Sequence, residues 1–313
     1  MTTFAVVFPG QGSQSLGMLS GLDSPRVRET FEEASDALSL DVWKLVTEGP
    51  QAALDKTENT QPAMLAAGVA VWRVWRDAGG GDPAVMAGHS LGEYSALVCA
   101  DSIDFADAVR LVAARGRLMQ AAVPEGEGAM AAILGLDDAV VGAVCAAAAA
   151  GQVVEPVNFN SPGQVVIAGQ AGAVERACSG AKEAGAKRAL MLPVSVPSHC
   201  SLMASAAEQL AALLEDVDVR VPRIAVIHNV SVTSADDVAG VRQALARQLH
   251  NPVRWVETVR AMQAHGVSTL FELGPGKVLA GLTRRIERSL NAVCVQDAAS
   301  LEKALDLGEG VES

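Results

Sequence analysis

Gly88-His89-Ser90-Leu91-Gly92 restricts the fold more than any other stretch, because a G-x-S-x-G sequence joining a strand to a helix lifts a serine hydroxyl clear of a sheet edge. The flanks meet that condition. Pro83-Ala84-Val85-Met86-Ala87 is a short apolar run suited to a buried strand, and Glu93 to Val98 suits a helix. Glycines two positions either side of the serine let strand and helix close on one another, while the strained backbone of so sharp a turn falls on the serine. N–H groups at the start of the helix would then face any negative charge developing there. In a chain with 29 glycines such a string also arises by chance, so the flanks carry the reading of Ser90 as a nucleophile.

With 313 residues, half of them apolar, the chain can bury a substantial core. Aromatic residues are only 4%, so alanine, valine and leucine must fill the interior, which favours helices packed closely on a parallel sheet. The net charge of −12 would repel a phosphate backbone, so no nucleic-acid partner is expected, and an acidic partner would need a local basic patch. Cys99, Cys145, Cys178, Cys200 and Cys294 are odd in number and irregularly spaced, which points to free thiols in a reducing compartment and to no metal site. Met1-Thr2-Thr3-Phe4 has no basic segment and no apolar run approaches about 18 residues, so the expectation is a cytoplasmic protein without a membrane span.

Along the chain, Phe4-Ala5-Val6-Val7-Phe8 reads as the first strand, ending in Pro9-Gly10-Gln11-Gly12-Ser13-Gln14. Neither the G-x-G-x-x-G spacing nor a Walker lysine is present, which leaves a loop whose main-chain N–H groups face the sheet's C-terminal edge. Helical periodicity covers Val27 to Leu38, Pro62 to Ala78 and Asp104 to Gln120. From Gly128 the order changes to strand, helix, strand, strand, helix, strand. Its strands are Ala129–Leu134, Val153–Asn158, Gln164–Ala168 and Arg188–Leu192, and its helices Asp137–Ala150 and Gly172–Ala184. That order predicts an inserted ferredoxin-like small domain over 126–194, flanked by 1–125 and 195–313 as one large α/β domain, with a cleft between them. Beyond it the spacing predicts a helix over Leu202–Leu214, a strand over Ile224–Ile227, helices over Asp236–Leu249 and Pro252–His265, a strand over Thr269–Glu272 and a helix over Lys277–Ile286. The polar tail from Asp306 to Ser313 reads as frayed.

Three arginines on the Asp104–Gln120 helix separate by spacing. Arg110 follows Asp107 by one turn and Arg117 precedes Gln120 by one turn, so both read as solvated. Arg115 instead has Leu111, Val112, Leu118 and Met119 at three and four positions. A guanidinium on an apolar stripe needs an internal carboxylate, a path to water, or a carboxylate that arrives with a ligand. A serine nucleophile also needs a base. Of the five histidines, His89 lies in the turn and reads as facing away from Ser90, His265 ends a helix, and His199 stands at a domain junction where a side chain can enter a cleft.

Seven or more blocks in order then carry a resemblance: Phe8 to Gln14, Thr60-Gln61-Pro62-Ala63, Gly88 to Glu93, Arg115-Gly116, Asn158 to Gln164, Val196-Pro197-Ser198-His199, Gln248 before Asn251-Pro252-Val253, and Gly274-Pro275-Gly276-Lys277. Over Thr3 to about Arg285 the chain resembles the malonyl-CoA:acyl carrier protein transacylases of bacterial fatty acid synthesis. The resemblance implies an α/β-hydrolase-like large domain with a ferredoxin-like insert. It also implies an acyltransferase that moves malonyl from coenzyme A to the pantetheine thiol of acyl carrier protein. Ser90 would be the nucleophile, His199 its base, the Gln248 main-chain carbonyl the group that orients His199, and the Gln11 and Leu91 N–H groups the oxyanion hole. Arg115 would pair with malonate's free carboxylate, and Gln61 and Asn160 would line the pocket. His228 stands where an asparagine is expected and receives no role. No cofactor is implied beyond malonyl-CoA as substrate, and a monomer is expected. Lys187, Arg188, Arg284 and Arg285 are the candidates for a basic rim that receives the acidic carrier protein.

Three alternatives stand beside this reading. A serine thioesterase or esterase would require an acid between serine and histidine, and Asp137, Asp138 and Glu155 all fall in the insert. A non-catalytic acyl-binding module would have no use for Ser90 and His199 together. The same malonyl chemistry could also serve polyketide synthesis.

Overall fold

Every residue of the first strand is apolar and buried, which requires cover on both faces of the sheet it enters. In the computed structural model, which describes residues 3–194 and 196–309, that cover consists of helices on either side. The chain runs β1 (Phe4–Phe8), α1 (Pro25–Leu38), α2 (Val42–Glu48), α3 (Gln51–Leu54), α4 (Thr57–Asp77), β2 (Val85–Gly88), α5 (Gly92–Cys99) and α6 (Phe105–Ala122). There follow β3 (Gly128–Leu134), α7 (Asp138–Ala148), β4 (Val154–Ser161), β5 (Gln164–Gln170), α8 (Ala171–Glu183) and β6 (Arg188–Met191). The remainder is α9 (Ala204–Glu215), β7 (Val226–Ile227), α10 (Val238–Gln248), α11 (Trp255–Ala264), β8 (Thr269–Leu273), α12 (Val278–Ile286), β9 (Asn291–Val295) and α13 (Ala298–Glu309).

Two sheets result. The first is parallel, in the order β7-β2-β1-β8-β9, and alternation along β1 divides its core. Val6 and Phe8 join α1, α4, α5, α6 and α9 on one face, whereas Ala5 and Val7 meet α11 and α12 on the other. The second sheet is antiparallel, β4-β5-β3-β6, and takes all its strands from 128–191. One of its faces packs on α7 and α8, and the other, through Met130, Val157, Val166 and Ala168, rests on Cys200. A main-chain bridge ties the two units: Val253 N–H donates to Val157 O at 2.8 Å, and Phe159 N–H donates to Val253 O at 3.0 Å. Among the described residues, no helix is long and apolar enough to cross a membrane.

Several elements differ from the sequence reading. The helix expected at Pro62 begins at Thr57, because the Lys56 carbonyl accepts from Asn59 and Thr60 and starts the coil a turn early. The helix expected at Pro252 begins at Trp255, since Val253 is held extended against β4. The strand β9 and helix α13 had no counterpart; residues 306–309, read as frayed tail, are helical, and the rest of that tail lies outside the described residues.

Candidate active site

The serine turn is closed by contacts that admit no side chain. A Cβ on Gly88 would lie 1.8 Å from the Gly92 carbonyl carbon, and one on Gly92 would lie 2.0 Å from Phe8 O. Between these glycines Ser90 takes a φ of 51°, so its side chain leaves the sheet edge while α5 starts beneath it. The loop after β1 lies on the same turn, for a Cβ at Gly10 would meet His89 O at 2.5 Å, and this brings Gln11 to the serine. Neither Gln11 N–H nor Leu91 N–H has a protein acceptor among the described residues, and both residues line the cavity in front of Ser90.

His199 enters from the segment before α9. It also has a positive φ, 68°, and its main-chain N–H donates to Leu249 O at 3.1 Å. Its Nε2 is 2.7 Å from Ser90 Oγ, and its Nδ1 is 2.8 Å from Gln248 O. A carbonyl can only accept, so Nδ1 carries the hydrogen and Nε2 offers its lone pair to the serine hydroxyl. Burial, then the nearby Arg115 guanidinium, bring the imidazole down to about 3, so the ring is neutral near pH 7.

Arg115 is 1% exposed on α6. Nη1 donates to Gln61 Oε1 at 2.8 Å, and Nη2 donates to Gln248 Oε1 at 3.0 Å and approaches Ser90 Oγ at 3.4 Å. Nε has no partner, and among the described residues no carboxylate forms an ion pair with the guanidinium. Burial lowers its proton affinity, and Tyr94, whose ring lies 5.4 Å beneath the guanidinium carbon, is itself pushed up to about 12 by burial. The three sources of compensation left open by spacing thus narrow, since neither an internal acid in contact nor exposure to water serves this cation.

These groups line a cavity of about 130 Å³, with Gln61 on one wall, Asn158 on another, and Met119, Met130, Leu192 and Val194 as apolar cover. Asn160 does not line it; it pairs with His89 Nε2 at 2.8 Å, and Asn158, two residues earlier on the same strand, faces the cavity instead. His89, expected to face away from the serine, is among the residues lining the cavity, and its ring pairs with Asn160 and lies 5.5 Å from Trp255. Cys200, next to the base, is fully buried, donates to Pro197 O and has its thiol pushed up to about 12 by burial, so it offers no competing nucleophile. Lys187, Arg188, Arg284 and Arg285 are exposed, and Arg285 Nη1 donates to Gln164 Oε1 across the two units at 2.9 Å.

Sequence reasoning missed three contributions. Asn229 accepts from Ser90 N–H at 2.8 Å and donates to Gly88 O at 2.7 Å, and so braces the serine turn. The Gln248 side chain, and not only its carbonyl, belongs to the site. Glu93 is buried behind both, and its one signal was being the sole charge in the run Leu91 to Ala100.

A parallel sheet, a serine turn and a histidine held by a carbonyl are what acyl transfer through a serine requires, and the family described as acyl transferase domain matches residues 5–304. The chain is 59% identical over 309 residues to the malonyl CoA-acyl carrier protein transacylase of Escherichia coli O157:H7, covering 98% of this chain and 100% of that protein. It is similar to the structure of a malonyl-transacylase in complex with its type II PKS acyl-carrier protein, at 58% identity and a TM-score of 0.97, covering 98% of this chain and 100% of that one. It is also similar to an acyl carrier protein S-malonyltransferase from Vibrio cholerae O1 biovar eltor, at 58% identity and a TM-score of 0.95, covering 97% and 100%. The chain belongs to the malonyl CoA-acyl carrier protein transacylase family.

Proposed function

We propose that this protein moves a malonyl group from coenzyme A to the pantetheine thiol of acyl carrier protein through a malonyl ester on Ser90. The observation that carries the reading is the 2.7 Å contact between Ser90 Oγ and His199 Nε2, made within reach of a buried arginine that, among the described residues, has no acid in direct contact. Ser90 Oγ attacks the thioester carbonyl as His199 takes its proton, and the oxyanion is stabilised by the N–H groups of Gln11 and Leu91. When the C–S bond breaks, His199 returns the proton to the departing thiolate. The carrier's thiol then enters, gives its proton to His199 and attacks the ester, and Ser90 leaves as its hydroxyl. No step calls for a metal or prosthetic group.

Arg115 sets the substrate class, because a guanidinium lodged among apolar side chains accepts an acyl group bearing its own carboxylate and is left unpaired by an acetyl group. Gln61 holds one edge of that guanidinium, and Gln248 holds the histidine. We read 1–125 and 195–313 as an α/β-hydrolase-like large domain and 126–194 as a ferredoxin-like insert, since the parallel sheet draws its strands from the first two ranges together and the antiparallel sheet from 126–194 alone. The exposed basic residues Lys187, Arg188, Arg284 and Arg285 would receive the carrier protein, in the cytoplasm and with the enzyme as a monomer.

A thioesterase is disfavoured because the partner of His199 Nδ1 is a carbonyl, while Glu155 is engaged by Ser201 and Asp137 stands at the start of α7. Service to a polyketide carrier protein draws support from the similar malonyl-transacylase, which is in complex with a type II PKS acyl-carrier protein. Incubation with malonyl-CoA, with and without holo acyl carrier protein, tests the reading. Malonyl-carrier protein should form, and free malonate released at the same rate without carrier would overturn it.

A further inference from the structure

Glu93 takes no part in the scheme above, yet it is completely buried and holds the residues that hold the site. Its Oε2 accepts from the Asn229 main-chain N–H at 2.8 Å and from Gln248 Nε2 at 2.9 Å, and its Oε1 meets His228 Nδ1 at 2.8 Å. Gln248, equally buried, is the connection to the chemistry. Its Nε2 donates to Glu93 and to Ser90 O at 3.0 Å, its Oε1 accepts from Arg115 Nη2, and its main-chain carbonyl accepts from His199.

A carboxamide has a donor end and an acceptor end, and Glu93 reinforces the way this one points, with Ser90 O beside it at the donor end. Both neighbours of Nε2 are oxygens without hydrogen. Turning the amide would set Oε1 against a carboxylate and a carbonyl, and Nε2 against the guanidinium. A glutamine at 93 could offer its own NH2 instead, which would leave only Ser90 O and Arg115 to hold the orientation. The charge of Glu93 has a second use. A carboxylate in direct contact with Arg115 would occupy the guanidinium and compete with a substrate's acid, whereas one separated by a neutral amide balances the buried cation and leaves its edge open.

We propose that Glu93 is a positioning residue which, acting through Gln248, fixes the Arg115 guanidinium and supplies its counter-charge, and thereby sets the preference for acyl groups that carry a carboxylate. This inference rests on the assignment of Arg115 to the substrate carboxylate.

The test is the ratio of kcat/KM for malonyl-CoA to that for acetyl-CoA, which does not depend on what fraction of a variant is folded. Glu93→Gln should lower the ratio by about tenfold or more, equivalent to about 1.4 kcal/mol. Glu93→Asp, which keeps the charge one methylene short, should fall between it and the wild type. With Arg115→Ala already present, adding Glu93→Gln should change the ratio by no more than about twofold, since the two act on one interaction. An unchanged ratio in Glu93→Gln, or a further fall when it is added to Arg115→Ala, would overturn the proposal. Should Glu93→Gln not fold alone, recovery of a cooperative thermal transition in the double variant supports the coupling, and failure in both backgrounds overturns it. If Arg115→Ala itself leaves the ratio untouched, the functional reading fails and takes this inference with it; a collapse there with no effect at Glu93 defeats this inference alone.

Discussion

Arg115 Nη2 lies 3.4 Å from Ser90 Oγ, and the guanidinium's contacts on that side are a hydroxyl and a carboxamide, with no acid. On the proposed reading, this buried cation would make Ser90 selective for an acyl group that brings its own negative charge.

Arg115→Ala should therefore lower kcat/KM for malonyl-CoA by about 100-fold, the roughly 3 kcal/mol typical of one buried charge-assisted pair. Transfer from acetyl-CoA should change far less. Steady-state kinetics with both thioesters check this, and equal losses would remove Arg115 from substrate recognition.

The pH profile follows from His199, held at about 3 against an ordinary 6.5 by burial and the Arg115 guanidinium. In the free enzyme the base stays neutral as pH falls through 6.5, so kcat/KM for malonyl-CoA should show no loss of base there. Stability behaves differently. Below 6.5 the unfolded chain takes up a proton that the folded chain refuses until about 3, so stability present above 6.5 is lost as pH falls through that window. Thermal unfolding against pH should show the decline, and His199→Ala should make it shallower. A kinetic inflection near 6.5 assigned to His199 would contradict the assignment.

Gly92→Ala should cost about 3 kcal/mol or more, because its Cβ would sit 2.0 Å from the rigid Phe8 carbonyl. Chemical denaturation reads this directly. Gly142→Ala, on an open face of α7, provides the control and should be neutral or mildly stabilising.

Legibility in the sequence followed how local each cause was. The serine turn is built from neighbours, so 88–92 and its flanks were sufficient, and the apolar stripe around Arg115 showed on one helix. The antiparallel sheet was readable because all its strands pair with one another within 128–191. By contrast, Glu93 reaches Asn229 and Gln248, 136 and 155 positions away, and nothing in either segment announces the meeting. The choice between Asn158 and Asn160 turned on irregular pairing of β4 with β5, whose register shifts between Pro156 and Asn158 and again between Phe159 and Ser161. The edge strand β9, as long as β1, is not followed by a glycine loop like those that marked the ends of β1, β2 and β8, and α2, of seven residues, is too short for periodicity to separate from loop.

Charge reversal at Lys187 and Arg188, or at Arg284 and Arg285, should raise KM for acyl carrier protein several-fold while leaving KM for malonyl-CoA unchanged, with an effect that shrinks as salt rises. Titration of carrier protein at two ionic strengths checks this. Unaltered KM in both pairs would place the docking surface elsewhere.

The central claim, that Ser90 carries the malonyl group in transit, is tested most directly by mass spectrometry of the protein quenched after brief exposure to malonyl-CoA. One malonyl unit should be found on the peptide containing Ser90 and should be missing from Ser90→Ala. A malonyl unit retained by Ser90→Ala, or mapped to another residue in the wild type, would contradict the account.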